Sequence, residues 1–529
     1  MEGRTSMLLQ VVLKHLPFEL NPTSFVSLFS FIIAIVLLIK LQTVTRRNKP
    51  DLLPPSPPKF PFIGNLHQLG TLPHRSLTAL SRKYGSLMLL RLGQTPTLVV
   101  SSAHMAKEIT KSHDVVFSDR PQTTAAKILL YGCTDVGFLP YGEEWRLKRK
   151  ICVLGLLSLK RVQSFQYIRE EEVADLVNKI RQACSEHDDH VNISQMVIAT
   201  SNNIVSRCLL GEKFEAGDGK SSFGNLARKV MVLLAAFSFG NFFPSLRWMD
   251  FVTGLIPKLN ATFRELDTFF DEVLAQHKAA KRNDDDGHHR SEKKDFVDIL
   301  HQLQHDDLLD IELNQSDIKA MIMDFFTGGS DTTSTALEWA FAELMRNPRT
   351  MKKAQEEVRR MMGKKSKVEE TDVRKMKFLE CVVKETLRLH PPLPLSVPRE
   401  TRSGVTLGGY YVPPKTTVFM NAWAIQRDPE FWERPEEFVP ERFENSNVDF
   451  KGQDFELIPF GSGRRGCPGL SFGIASLDYV LANLLYWFDW KLPTEASKST
   501  QQAIDMSEIF GLTVVKKQPI CVQPIPYLI

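Results

Sequence analysis

The stretch PFGSGRRGCPG, residues 459–469, decides how this chain is read. Glycines at 461, 463 and 466 permit a tight loop that can pass close to a flat ligand. Gly461 to Gly466 also match the dinucleotide fingerprint G-x-G-x-x-G, a weak signal in isolation. That reading needs a helix opening at the third glycine and a further parallel strand. Instead Pro468 follows at once, and the next apolar run, 470–488, reads as one long helix. Cys467 stands at the entrance to that helix, where dipole and free N–H groups favour a thiolate, and Pro468 suits a first helical turn because its missing N–H has no partner there anyway. Cys467 is therefore expected to be a thiolate ligand to a metal.

Around this loop lies the sequence of a large globular body. With 529 residues, 43% hydrophobic and 24% charged, disorder and fibre classes drop out, and a net charge of +4 gives no footprint of a nucleic-acid binder. Seven cysteines (Cys133, Cys152, Cys184, Cys208, Cys381, Cys467, Cys521) are odd in number, scattered and without a C-x-x-C pair, which disfavours a disulfide framework or structural zinc. The six besides Cys467 read as small buried hydrophobes in a reducing compartment. Helical periodicity covers 170–183, 263–280, 316–346, 350–362, 375–390 and 470–488. Apolar runs around Gly93 to Pro96 signal a hairpin at 87–101, and 405–412 is strand-like. The expected fold class is mainly α with a small β portion (α+β). The helix at 316–346 is expected to break in mid-course at GGSDTT, residues 328–333. Gly328 and Gly329 each cost about 1 kcal/mol there relative to alanine, and Thr332 and Thr333 can draw carbonyls from the ladder. Close packing of a second helix or a functional groove accounts for such a break equally well.

Phe460-x-x-Gly463-x-Arg465-x-Cys467-x-Gly469 resembles the haem-binding signature of the cytochrome P-450 family. Further motifs stand in the same order as in that family: Trp145-x-x-x-Arg149, Gly328-Gly329-x-Asp331-Thr332-Thr333, Glu385-x-x-Arg388, Arg399 after Pro398, and Pro440-Glu441-Arg442-Phe443. The resemblance covers 54–529 and implies the P-450 fold, with heme b (iron protoporphyrin IX) held by Cys467. It places Phe460 and Gly469 in the haem loop, and Trp145, Arg149, Arg399 and Arg465 at the propionates. Glu385, Arg388 and Arg442 form a structural network, and Thr332 and Asp331 are the catalytic pair, a hydroxyl beside dioxygen and a carboxylate that relays protons. The implied activity is a monooxygenase using O2 on a small apolar molecule, in the manner of plant microsomal A-type members that build terpenoids, alkaloids or phenolics. Electrons are expected from NADPH through a separate NADPH-cytochrome P-450 reductase; Lys148, Arg149, Lys150 and Arg464 read either as its docking patch or, for the lysines, equally well as a merely solvated face. A haem-thiolate dehydratase or isomerase, for example on an oxime, and a non-catalytic haem protein remain as alternatives. Substrate contacts are expected from 125–139, 237–243, 395–397 and 510–512.

Towards the N-terminus, 25–39 carries no charge, and 23–41 approaches the roughly 20 residues of a spanning helix. The expected organisation is a lumenal segment at 1–22, a transmembrane signal anchor at 23–41, a basic and proline-rich hinge at 42–65 and a catalytic domain at 66–529. Arg46, Arg47 and Lys49 put that domain on the cytosolic side of the endoplasmic reticulum membrane, where the sequons at Asn192, Asn260 and Asn314 stay unglycosylated. Residues 230–256, apolar but broken by Gly240 and Pro244, read either as core or as a membrane-dipping lid. The charged stretch 281–294 reads as a solvated loop.

Overall fold

The computed structural model describes residues 52–185, 190–213, 222–284, 294–305, 313–492 and 504–527. The chain divides into residues 1–53 and 54–529. The expected membrane anchor, and most of the expected solvated loop, lie outside the described residues.

Among the helices of the described residues, those that frame the body and its site are α1 (Pro73–Tyr84), α2 (Glu143–Lys150), α3 (Gln166–Ser185), α4 (Ile193–Leu210), α5 (Ser222–Leu234), α6 (Leu255–Asp284), α7 (Gln315–Arg346), α8 (Pro348–Met362), α9 (Lys377–Leu389) and α10 (Leu470–Trp487). The central one is α7, which packs on α4, α5, α9 and α10. It starts at a capping box in which Asn314 accepts from the N–H of Asp317 at 2.9 Å and Asp317 returns the bond at 3.1 Å. Asn192 likewise caps α4 at 3.0 Å, so two of the three sequon asparagines serve as helix starts. Among the described residues, α10 alone is long and apolar enough to cross a membrane, and it is mostly buried in the body.

The sheet content is small, as expected, but more divided. β1 (Leu87–Leu92) and β2 (Thr95–Val100) form the foreseen hairpin, extended in the order β1-β2-β7-β4 by β7 (Thr417–Met420), parallel to β2, and β4 (Arg399–Glu400). The stretch 405–412 is not one strand. Gly408 and Gly409, at φ 55° and 81°, turn it into a hairpin of β5 (Val405–Leu407) and β6 (Tyr410–Val412). A third sheet joins β3 (Val191–Asn192) and β8 (Phe488–Lys491) through β11 (Cys521–Pro526), and β9 (Glu508–Ile509) pairs with β10 (Val515–Lys516). The proline-rich stretch after residue 53 lies on β1, where Leu89 N–H donates to Pro55 O at 2.9 Å and Asn65 N–H donates to Arg91 O at 2.7 Å.

The expected mid-course break in α7 does not occur: 328–333 remain helical. The hydroxyls of Thr327 and Thr332 bond back to the carbonyls of Met323 and Gly328, at 2.8 and 2.6 Å, within an unbroken helix. The two glycines have different reasons. A Cβ on Gly329 would meet the Val205 side chain of α4 at 3.1 Å, whereas one on Gly328 would meet nothing within 4 Å, because it faces a cavity.

Candidate functional site

Left-handed backbone at Gly461 (φ 67°) and Gly463 (φ 68°) folds 459–469 into a tight turn. A side chain at Gly463 would also strike the Thr110 carbonyl at 2.6 Å. The turn brings Cys467 N–H to Phe460 O at 2.8 Å and leaves the sulfur open to a cavity of about 320 Å³, enclosed by the body. α10 starts at Leu470, so Cys467 and Pro468 precede it rather than occupying its first turn. The Gly469 N–H and Arg149 favour the anionic sulfur, but burial outweighs them and pushes the Cys467 thiol above its ordinary value.

Four guanidinium groups line the same cavity: Arg120, Arg149, Arg399 and Arg465. Their donors go mostly to neutral carbonyls, from Arg149 to Gly466 O (2.5 Å), from Arg399 to Ser462 O (2.6 Å), from Arg465 to Ser118 O (2.7 Å), and from Arg120 to Val397 O and Pro398 O. All four are held below the usual guanidinium range by burial; mutual repulsion adds to this at Arg120 and Arg465. Asp114 partly offsets only Arg399, at 3.3 Å. Such a rim calls for an anionic ligand. Trp145 lies beneath Arg465, its ring centroid 4.3 Å from the guanidinium carbon, and gives its single N–H to Val136 O at 3.0 Å. The structure thus uses Trp145 to hold Arg465, with its N–H already committed. Phe460 and Gly469 also line the cavity. A sulfur donor on a glycine turn, facing an apolar space with a cationic rim, fits iron protoporphyrin with its two carboxylates.

Thr332, Thr333 and Gly328 line the cavity from α7. Asp331 points away. It is buried, pairs with Arg228 Nε of α5 at 2.5 Å and accepts from the Thr513 hydroxyl. Burial pushes its carboxyl above the ordinary range, opposed chiefly by Arg228. Arg228, whose side chain is 30% exposed, reaches solvent and connects Asp331 to it. No local motif marks Arg228; only packing of α5 on α7 brings it there.

Glu385 and Arg388, both fully buried on α9, form a two-pronged pair at 2.7 and 2.9 Å, and Arg442 joins Glu385 at 3.0 Å. Arg388 also donates to the carbonyls of Gln426, Pro435 and Glu437. The three residues thus tie α9 to 426–442, a structural role.

The expected docking patch needs correction. Lys148 is buried and held by Asp317 at 2.7 Å, Glu144 at 2.6 Å and Thr134 O. Arg149 lines the cavity, and Arg464 pairs with Asp114 at 2.9 Å, which leaves Lys150 exposed. Of the expected substrate contacts, Leu130, Val136, Phe138, Ser396, Val397 and Leu512 line the cavity, whereas 237–243 do not. Val205, Cys208 and Leu209 of α4 and Met231 and Leu234 of α5 line it unforeseen.

The family model for cytochrome P-450 matches residues 54–518. Phenylacetaldehyde oxime monooxygenase CYP71AN24 of Prunus mume is 55% identical over 491 residues, covering 93% of this chain and 92% of that one. Cytochrome P-450 71A1 of Persea americana is 52% identical over 459 residues, covering 86% and 90%. A zebra fish cytochrome P-450 structure with abiraterone superposes with a TM-score of 0.71 at 24% identity, covering 87% of this chain and all of that one, a likeness of fold.

Proposed function

The chain belongs to the cytochrome P-450 family, and from that premise we propose that it is an endoplasmic reticulum member of plant specialised metabolism, fed with NADPH electrons by a reductase, that oxidises a small apolar molecule. That it is a P-450 monooxygenase, with haem, dioxygen, a redox partner and a small-molecule substrate, follows from the family and its named relatives. One observation carries the site reading: Cys467, four guanidinium groups, of which only Arg399 has an ion-pair partner among the described residues, and Thr332 open on one cavity. Bound there, haem supplies the redox-active iron at which dioxygen is reduced. The chain's own residues do the rest. Cys467 gives the anionic ligand, and Arg149, Arg399 and Arg465 meet the haem carboxylates. Leu130, Val136, Phe138, Leu209 and Val397 exclude water around the substrate. Thr332 holds a hydroxyl in the cavity, and Asp331, which solvent reaches alongside Arg228, takes up and releases the relayed proton while the permanently charged guanidinium holds its carboxylate.

An arylacetaldoxime is the first substrate to test, since the Prunus mume relative is named for one. With reductase and NADPH, product must require dioxygen. Thr332→Ala is expected to keep haem and NADPH consumption while diverting most electrons to peroxide. Unchanged coupling removes Thr332 from proton delivery, and product formed without dioxygen favours the dehydratase reading. Arg228→Gln leaves the Asp331 carboxyl with less to oppose burial, so it titrates at higher pH. The acid limb of the turnover profile then moves upward, and an unmoved limb removes Asp331 from the relay.

A membrane location is supported by an exposed apolar face at Phe60, Phe62, Phe237, Trp248, Phe251 and Val252. The two segments that carry it are joined through the β1–β2 turn, where Gly93 N–H donates to Ile63 O (3.1 Å) and Gln94 N–H to Phe242 O (2.7 Å).

A further inference from the structure

Asp135, on the loop between Tyr131 and Gly142, and Asp324, on α7, meet in the wall of the cavity. Asp135 is fully buried, and the two carboxyl groups lie side by side. Gly137 lies against both: a Cβ there would come within 2.9 Å of Asp135 Oδ2 and 3.2 Å of Asp324 Oδ1. The loop's backbone supplies donors to each, from Val136 N–H to Asp324 Oδ2 at 2.6 Å and from Phe138 N–H to Asp135 Oδ2 at 2.8 Å. Asp135 Oδ1 has no donor and is shielded from water. Among the described residues neither carboxyl group has an ion-pair partner.

The cations facing the pair are Arg120 and Arg465 on the Asp135 side and Arg149 on the Asp324 side, with the thiols of Cys133 and Cys152 nearby. These guanidinium groups spend their short hydrogen bonds on backbone carbonyls, including Gly137 O for Arg120 and Val136 O for Arg465. Two like charges side by side, one fully buried and the other half-buried in the cavity wall, cannot both persist without a direct counter-ion. A proton between them removes the repulsion.

We propose that Asp135 and Asp324 share one proton, and that this acid–carboxylate bridge is the positioning element that fixes residues 133–139 to α7. The loop presents Val136 and Phe138 to the cavity and offers carbonyls to Arg465 and Trp145. Lys148 holds its other end through Thr134 O at 2.7 Å. The consequence for substrate binding rests on the haem-thiolate reading; the shared proton does not.

Burial and the neighbouring Asp135 raise Asp324 well above its ordinary value of 3.8, and burial raises Asp135 as well, partly offset by the Phe138 N–H and by Asp324. Proton uptake by the pair therefore stabilises the fold fully below the ordinary carboxylate range, and that stabilisation is lost as pH rises through the raised folded-state values; the one-proton bridge itself is held between the two titrations. Infrared spectra and hydrogen exchange of the full-length holoprotein test this without any turnover. At neutral pH a carboxylic-acid carbonyl band is expected in the wild type and is lost in both Asp324→Asn and Asp135→Asn, because either amide replaces the shared proton as donor. Corrected for intrinsic exchange, protection of 133–139 in the wild type falls about tenfold or more as pH is raised. In Asp324→Asn it stays high and flat, and in Asp324→Ala it is low throughout. A wild type without the band, an Asn variant that follows the wild-type pH dependence, or an alanine variant as protected as wild type overturns the proposal.

Discussion

Glu385→Ala is expected to leave little folded protein at physiological temperature. The substitution strands Arg388, fully buried, and Arg442 without their shared carboxylate, and removes the acceptor of Val439 N–H at 2.8 Å. Breaking a buried pair on one side costs about 3–5 kcal/mol because an uncompensated charge is left behind, against a total stability of about 5–15 kcal/mol. The loss also propagates. Arg388 holds three carbonyls of 426–437, and Gln426 in turn accepts Ile458 N–H at 2.9 Å, one residue before the haem loop. Glu385→Gln keeps an acceptor and costs less. Chemical denaturation of the three proteins checks the ranking, and an alanine variant within about 1 kcal/mol of wild type contradicts the assigned structural role.

Cys467→Ala is expected to fold and yet lose all dioxygen-dependent turnover. The sulfur faces the cavity, while the turn around it is held by backbone bonds from Cys467 N–H to Phe460 O and from Gly466 N–H to Gly463 O. Those bonds survive the substitution. What is lost is the only side chain of the turn able to serve as an anionic soft ligand. Thermal unfolding close to that of wild type in the haem-free state, together with absent turnover, is the expected pair of results. A variant that still oxidises substrate with NADPH removes Cys467 from its role.

Long helices were legible because their apolar positions repeat over many turns; all six periodic stretches correspond to helices, with ends shifted by up to four residues, except that the helix read at 263–280 begins eight residues earlier, at Leu255. Strands of two to four residues carry no period, so β3, β4, β7, β8, β9 and β10 left no trace, and the turn within 405–412 was signalled only by Gly408-Gly409. Of the site, Cys467, Arg149, Arg399 and Arg465 were marked by motif spacing and stand on one cavity. Arg120 and Arg228 were invisible because their roles arise from segments far apart in the chain. Lys148 was misplaced for the same reason: a run of basic residues reads as a solvated face, yet Asp317, 169 residues later, draws this one inside. Asp324 did leave a signal, a lone carboxylate in the apolar run MIMDFF. Its meaning needed Asp135 beside it.

The most direct measurement is the carbon monoxide difference spectrum of the reduced, full-length protein purified with its haem. A cysteine thiolate opposite the carbonyl gives the band shape particular to that ligand, and this is the result expected of Cys467. A spectrum characteristic of imidazole or neutral-thiol ligation in undamaged protein, or protein that takes up no haem, contradicts the account.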